Sequence, residues 1–358
     1  MFPMLRTTLL LLAAVLLMLC ISSCEPDTVP FLTYCSIQGD GTLFDKDDNS
    51  LAVGSWGRAF YLSDDTVFYL GSSLVRRNLI TNQTQYLTPP ELAITDKRYL
   101  AIDKHLAILY FSANNAIYQV GFNGENLSRL SPEDGYGYSA PAISALGQRL
   151  TAIRNKRIMS YDTQTDEWSE LPSPVSACYA VYLEDSGEYY YYSSQEQNYW
   201  TVISLCKTNG TEADSTFLMK REYSDFNKNW LSLRVSHNQR WFGIHNMLEP
   251  EAQYDMWGGS QWYRYSSDLL VYDRITGNTT AIDDCYSYGF VHDTGELLYS
   301  HYQHGMADVR KMDLNSGLST LIWDGYYCKD NYFFSMSEIY PRADGHKIYL
   351  RTWVKALR

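Results

Sequence analysis

Basic residues are scarce in this 358-residue sequence: 29 Lys and Arg stand against 41 Asp and Glu, for a formal net charge of −12. Binding to phosphate backbones needs clustered Lys and Arg, so this balance argues against nucleic acid as a partner. Cysteine is also sparse. Cys20, Cys24, Cys35, Cys178, Cys206, Cys285 and Cys328 are scattered, with no C-x-x-C pair. That spacing speaks against a zinc knuckle or a redox motif, and most of the five distal cysteines are expected to be buried thiols. There is no G-x-S-x-G, so a propeller-capped serine hydrolase is disfavoured, and no phosphate loop or dinucleotide fingerprint. No cofactor is expected. Asp45-Lys46-Asp47-Asp48-Asn49 starts like a calcium loop, but Ser50 and Trp56 stand where Gly and Glu are required. It reads as a solvated turn. The N-x-S/T sites at Asn82, Asn126, Asn209 and Asn278 fall mostly in polar turns, where Asn is common.

Long hydrophobic runs are missing except for one, Leu9 to Ile21. It is short for a membrane span, which needs roughly 20 apolar residues. Arg6 precedes it and small residues follow it, the layout of a secretory signal. Ile21-Ser22-Ser23-Cys24 resembles the bacterial lipobox. The resemblance implies cleavage after residue 23 and lipidation of Cys24; Cys20, inside the apolar run, is the poorer candidate. Residues 1–23 are therefore read as a signal peptide and residues 24–30 as a tether. Arg6 is the only charge in the signal, so its removal leaves the chain more acidic. Such a domain is repelled by anionic lipid, and the acyl chains must do the anchoring. The expected location is the cell envelope, on the extracytoplasmic side. Glu25, rather than Asp, after Cys24 points to the outer membrane in a cell with two membranes; with one membrane, its outer surface is expected. The tether reaches at most about 25 Å, which places the last repeat unit toward the bilayer.

What the sequence has in quantity is aromatic residues, 15% of the chain and 31 of them Tyr. They fall into a repeat. A tight polar turn followed at once by an alternating apolar strand recurs seven times, at Asp65, Lys104, Gly147, Gly187, Asn238, Gly295 and Gly345. A second hairpin follows six of the seven. Leu269–Tyr272, a D-R-I-T-G turn and Thr279–Ile282 form one clear case. Four-stranded units of roughly 40–50 residues are propeller blades. No linker interrupts residues 31–358, which are read as one all-β domain: a β-propeller of seven four-stranded blades. The seventh unit stops after one hairpin, and Phe31–Ile37 with Thr42–Phe44 supplies the other. Strands from both ends then close the last blade and remove two exposed edges. Asp293-Thr294-Gly295-Glu296-Leu297-Leu298-Tyr299 and Ala343-Asp344-Gly345-His346-Lys347-Ile348-Tyr349 resemble TolB-type and WD-like bacterial propeller repeats, with Pro missing before the turn.

Candidate chemistry falls in the connections between second and third strands, which are short in blades 1–3 and lengthen in blades 4–6. Blade 4 offers Ser193 to Trp200, with Tyr199 and Trp200. Blade 5 offers Asn246 to Ser267, with Tyr254, Trp257, Trp262, Tyr263 and Tyr265. Blade 6 offers Tyr302 beside His301 and His304. Aromatic faces stack on sugars or on a partner's side chains, so these loops are expected to form a binding patch. His301 and His304 are weak metal candidates, having no acidic or Cys neighbour; His237, His245 and His292 could add ligands only if the fold gathered them. The favoured function is a non-catalytic binding or scaffold lipoprotein for a protein or glycan. The alternative is a carbohydrate-active propeller enzyme, a lyase or hydrolase, possibly metal-dependent.

Overall fold

A computed structural model gives the structure. It describes side chains for most of residues 66–321 and backbone alone for the strands on either side and for parts of blades 4–6. Residues 1–32, 38–41, 45–49, 54–57, 62–65, 79–80, 82, 173–175, 198–199, 211–215, 225–229, 237, 248–250, 255–260, 265–266, 292–293, 304–305, 324–331, 342–346 and 357–358 lie outside the described residues. Cys24 and residues 45–49 are among these.

Every described element is a strand or a turn. The chain opens with β1 (Thr33–Ile37), β2 (Thr42–Phe44) and β3 (Ser50–Val53). Blade 1 follows with β4 (Arg58–Tyr61), β5 (Thr66–Leu70), β6 (Leu74–Asn78) and β7 (Thr84–Tyr86). Blade 2 has β8 (Ile94–Asp103), β9 (Ile108–Ala113), β10 (Ala116–Gly121) and β11 (Ser128–Arg129). Blade 3 has β12 (Tyr138–Ile143), β13 (Arg149–Arg154), β14 (Arg157–Asp162) and β15 (Glu167–Leu171). Blade 4 has β16 (Ala177–Leu183), β17 (Glu188–Gln197), β18 (Trp200–Thr208) and β19 (Thr216–Ser224). Blade 5 has β20 (Trp230–Val235), β21 (Trp241–Met247), β24 (Ser267–Asp273) and β25 (Thr279–Ile282), with β22 (Glu251–Tyr254) and β23 (Gln261–Arg264) inserted. Blade 6 has β26 (Cys285–Phe290), β27 (Glu296–Gln303), β28 (Met306–Asp313) and β29 (Ser319–Trp323). The chain ends with β30 (Tyr332–Pro341) and β31 (Lys347–Ala356).

The all-β propeller architecture is as expected, but its strand count is not uniform. Six sheets, not seven, have four strands. The closing sheet has five, in the order β3-β2-β1-β31-β30, and β22 and β23 form a separate two-stranded ribbon. Both chain ends meet in the closing sheet. There β1 runs parallel to β31, with Thr33 opposite Lys347. No hairpin links these two strands, so no turn imposes the antiparallel sense found within the blades.

Contacts between blades run largely through first strands, as between β8 and β12, β12 and β16, and β26 and β30, while the fourth strands contribute little to them. Burial follows from this. The second strand is covered on both faces by adjacent blades and reads as a continuous apolar run; Thr66 to Leu70 is buried throughout. The outer β7 is exposed at every position. The core is a series of slabs between successive blades. One joins Phe68, Leu70 and Leu74 of blade 1 to Leu109, Phe111 and Val120 of blade 2.

Tyr189 to Tyr192 in β17 shows the rule at single-residue resolution. Tyr189 and Tyr191 pack toward blade 3, with Ile153 and Ile158. Tyr190 and Tyr192 pack toward blade 5, with Phe242 and Ile244. The period of two sends alternate rings to opposite faces. Their hydroxyls are not left dry: Tyr189 Oη lies 2.9 Å from Ser160 Oγ, and Tyr190 donates to Glu188 at 3.1 Å. Burial pushes the Tyr190 phenol up to about 12.

The seam between blades 5 and 6 is tighter. Tyr288 donates to the Gly243 carbonyl at 2.5 Å, and a Cβ at Gly243 would lie 2.5 Å from its ring. Only Gly lets the ring approach the strand this closely. Cys178, Cys206 and Cys285 carry no disulfide. Burial raises the Cys206 thiol to about 12, which makes it a core residue rather than a nucleophile.

Candidate functional site

Chain direction divides the propeller into two faces. The turns between first and second strands, and between third and fourth, share one end of every blade. The connections between second and third strands share the other, with the links from blade to blade. We call them the turn face and the hairpin face.

Side chains cross from blade to blade on the turn face. His105 Nε2 of blade 2 lies 3.2 Å from the Ala145 carbonyl of blade 3 and donates to it. The Leu146 N–H of blade 3 donates to Glu184 of blade 4 at 3.0 Å. Arg274 of blade 5 holds Asp185 of blade 4 with both guanidinium ends, one bond measuring 2.9 Å. Arg240 of blade 5 grips Asp273 at 2.7 and 3.0 Å and reaches Asn315 of blade 6 at 3.0 Å. The Arg240 bonds, outweighing burial, hold the Asp273 carboxyl down at about 2. Gly295 completes this corner. Its φ is +74°, and a Cβ there would lie 2.9 Å from the Trp241 ring.

The hairpin face is built differently. In blades 1–3 the second and third strands have five or six residues each and short links. In blade 4, β17 has 10 residues and β18 has 9, paired out to Gln197 opposite Trp200. Four added residues extend a strand by about 13 Å. In blade 5, β21 and β24 pair as far as Met247 opposite Ser267, and the β22–β23 ribbon continues beyond them. In blade 6, β27 and β28 have eight residues each.

This corrects the expected loops. Ser193 to Gln197 and Trp200 are ladder, not loop, as are His301 and Tyr302. Tyr254 closes β22 opposite Gln261, Trp262 stands opposite Gln253 and Tyr263 opposite Ala252. Segments such as Tyr192-Ser193-Ser194-Gln195 contain no Gly or Pro to stop pairing, so the ladder runs on. Tyr199, Trp257, Tyr265 and His304 lie outside the described residues. The three hairpins are thus neighbours on one face, carrying the backbone positions of Trp200, Tyr254, Trp262, Tyr263 and Tyr302.

His301 stands opposite Asp308 in the β27–β28 ladder. His245 is buried in blade 5, with Nε2 2.8 Å from the Cys285 carbonyl. A carbonyl can only accept, so this nitrogen is a donor and is not turned to a metal. No group of three His, Cys, Asp or Glu side chains suited to a metal occurs among the described residues.

Two features leave little trace in the sequence. A bulge in β8 between Asp96 and Leu100 carries Tyr99 past blade 3 onto blade 4. There its ring stacks on Tyr179 with centroids 4.5 Å apart, and its hydroxyl lies 3.1 Å from that of Tyr192. The second is an ion cluster on the hairpin face of blade 3. Arg154 bonds Asp134 at 2.6 Å, Glu170 at 2.5 Å and Tyr138 Oη at 3.3 Å, beneath the exposed Tyr136 ring. Burial alone would raise the Asp134 carboxyl; hydrogen bonds from Tyr138, the Tyr136 N–H and Arg154 outweigh it and lower it. Asp134-Gly135-Tyr136-Gly137-Tyr138, an aromatic run in a turn, was its only trace in the sequence.

No protein-family model and no curated protein matches the chain. Solved structures do. The extracellular domain of a chain described as a hybrid two-component system from B. thetaiotaomicron aligns with a TM-score of 0.54 at 13% identity, over 85% of this chain and 38% of that one. A protein from Lactobacillus plantarum aligns with a TM-score of 0.50 at 12% identity, over 80% of this chain and 88% of that one. TolB from Acinetobacter baumannii aligns with a TM-score of 0.41 at 12% identity, over 83% and 81%. At such identities the first two likenesses concern the fold alone, and they agree with what the strand pairing defines: this chain is an all-β propeller.

Proposed function

We propose that the protein is lipidated at Cys24, sits outside the cytoplasm in a bacterial cell envelope, and acts as a non-catalytic binding or scaffold propeller. On this reading the repeat is of the TolB type and the five-stranded closing sheet serves as the seventh blade. The ligand is an envelope glycan or protein, met by the hairpin face of blades 4–6. One observation carries the reading: three successive blades carry their extra length on the same face, as paired strands rather than loose loops. A ladder fixes the spacing of whatever it displays. The paired positions include Trp200, Tyr254, Trp262, Tyr263 and Tyr302; Tyr199, Trp257 and Tyr265, outside the described residues, join the proposed patch on their place in the sequence alone. Large aromatic side chains offer wide contact at modest entropy cost.

The test is a double variant, Trp257→Ala with Trp262→Ala, read on an array of bacterial envelope glycans and against purified envelope proteins. Loss of two anchors should weaken binding by about tenfold or more, with an unchanged circular dichroism spectrum. Undiminished binding with an intact fold removes the patch.

A further inference from the structure

Seven large hydrophobic side chains stand exposed among the described residues. Four of them sit at turn tips, all on the turn face. Leu106 and Leu146 occupy the first turns of blades 2 and 3, exposed by 58% and 56%. Ile275 and Leu318 occupy the second turns of blades 5 and 6, exposed by 70% and 71%. Of the others, Tyr86 and Leu321 are on the outer strands β7 and β29, and Tyr136 is on the hairpin face. Among the described residues, then, no large aliphatic side chain is exposed on a hairpin-face link. Tight turns favour Gly, Asn, Asp and Ser for backbone reasons, and an aliphatic at the tip adds nothing to its own blade's core. The blade-to-blade hydrogen bonds hold these tips in fixed relation.

The chain enters the ring on this same face. β30 and β31 are antiparallel with Pro341 opposite Ile348, and as the first and second strands of their sheet they are adjoined at the turn-face end. Lys347 therefore starts at that face, and Thr33, its parallel partner, starts there too. Cys24 precedes Thr33 by nine residues, a span of at most about 32 Å.

We propose that the turn face docks on the surface of a lipid bilayer, with Leu106, Leu146, Ile275 and Leu318 entering the boundary between headgroups and acyl chains. The proposal rests on lipidation of Cys24, which delivers this face to the membrane. A bilayer suits the pattern better than a protein partner does. Separate aliphatic tips on a rigid frame can each sink into a fluid surface, whereas a protein interface wants one contiguous apolar centre. Of the carboxylates nearby, Asp185 is offset by Arg274 and Asp273 by Arg240, while Asp313, in the Leu318 turn, accepts the Asn315 and Ser316 N–H groups. The hairpin face then points away from the membrane. This replaces the edge-on orientation expected from tether length alone, because the parallel entry of β1 fixes a face and not merely a blade.

The experiment uses the full chain in its own membranes. A fluorescent amino acid is placed singly at Leu106, Leu146, Ile275 or Leu318, and, as controls, at the exposed hairpin-face positions Ser72 and Tyr136. A quencher carried on phospholipid tails is then added. Quenching at the four turn-face sites and not at the controls is the expected result. The quadruple variant Leu106→Asp, Leu146→Asp, Ile275→Asp and Leu318→Asp should stay membrane-attached yet lose quenching of a reporter at Gln164, an exposed turn-face residue of blade 3. Membrane-bound protein with unquenched turn-face probes overturns the docking and leaves the anchor standing. Wild-type protein that fractionates with the soluble Cys24→Ala variant overturns the anchor, and the docking with it.

Discussion

The two faces of this propeller solve opposite problems. On the turn face, blades 2–6 are tied to one another by side chains a few residues from each strand end, and short turns keep donors and acceptors in reach. On the hairpin face, blades 4–6 grow outward, and the β22–β23 ribbon pairs only with itself. Length is added where nothing else depends on it. Ties between blades and added strand length thus fall at different ends of the same strands, and substitutions at the two ends should separate in their effect on stability.

The largest effect is expected at Gly295. Gly295→Ala forces a side chain into a left-handed backbone and against Trp241, and should cost about 2–3 kcal/mol by chemical denaturation. Arg240→Ala comes next. It removes the bonds to Asp273 and Asn315 and the guanidinium stacked 4.4 Å above Trp241. A loss of about 1–2 kcal/mol is expected for such partly buried charge-assisted bonds. The same pair sets an acid limit. The Asp273 carboxyl is held at about 2 in the folded chain against an ordinary 3.8. Its contribution is therefore complete above the ordinary value and fades as pH falls toward 2. Thermal melts from pH 5 to pH 2 should show wild type losing more stability than Asp273→Asn. Asp185→Asn, at a pair whose carboxylate is half-exposed, should change stability by no more than about 0.5 kcal/mol.

An equally small effect on stability should come from a much larger change. Replacing residues 249–265 with a short Gly-Ser link removes the ribbon but cuts no ladder of blade 5. Stability should hold within about 0.5 kcal/mol, while ligand binding is lost. A deletion that destabilises as much as Arg240→Ala would break the contrast between the faces.

Much of this was legible beforehand. The turn-and-strand units from Asp65 onward each lead into a second strand, six in four-stranded sheets and the last in the five-stranded closing sheet, so periodicity located the strands but not the uneven blade make-up. The meeting of both chain ends in one sheet followed from counting hairpins. The site was less legible. Ser193–Trp200 and Asn246–Ser267 exceed the usual repeat and so resemble loops in the sequence, yet most of their described residues pair. A sequence marks where pairing is forbidden, through Gly and Pro, more clearly than where it continues. Trp200 and Tyr302 gain fixed backbone positions from that pairing, which composition could not supply.

By itself, then, the sequence determined the repeat, the alternation of buried and exposed positions, and the apolar second strands, because these rest on local periodicity and turn chemistry. Only the tertiary structure decided how the blades speak to one another. Tyr99 reaching Tyr192 across blade 3, Arg274 holding Asp185, and β1 entering parallel to β31 each join residues from about 90 to more than 300 positions apart. No local pattern encodes such a contact, since it depends on where a bulge, a turn or a chain end falls once the ring is closed.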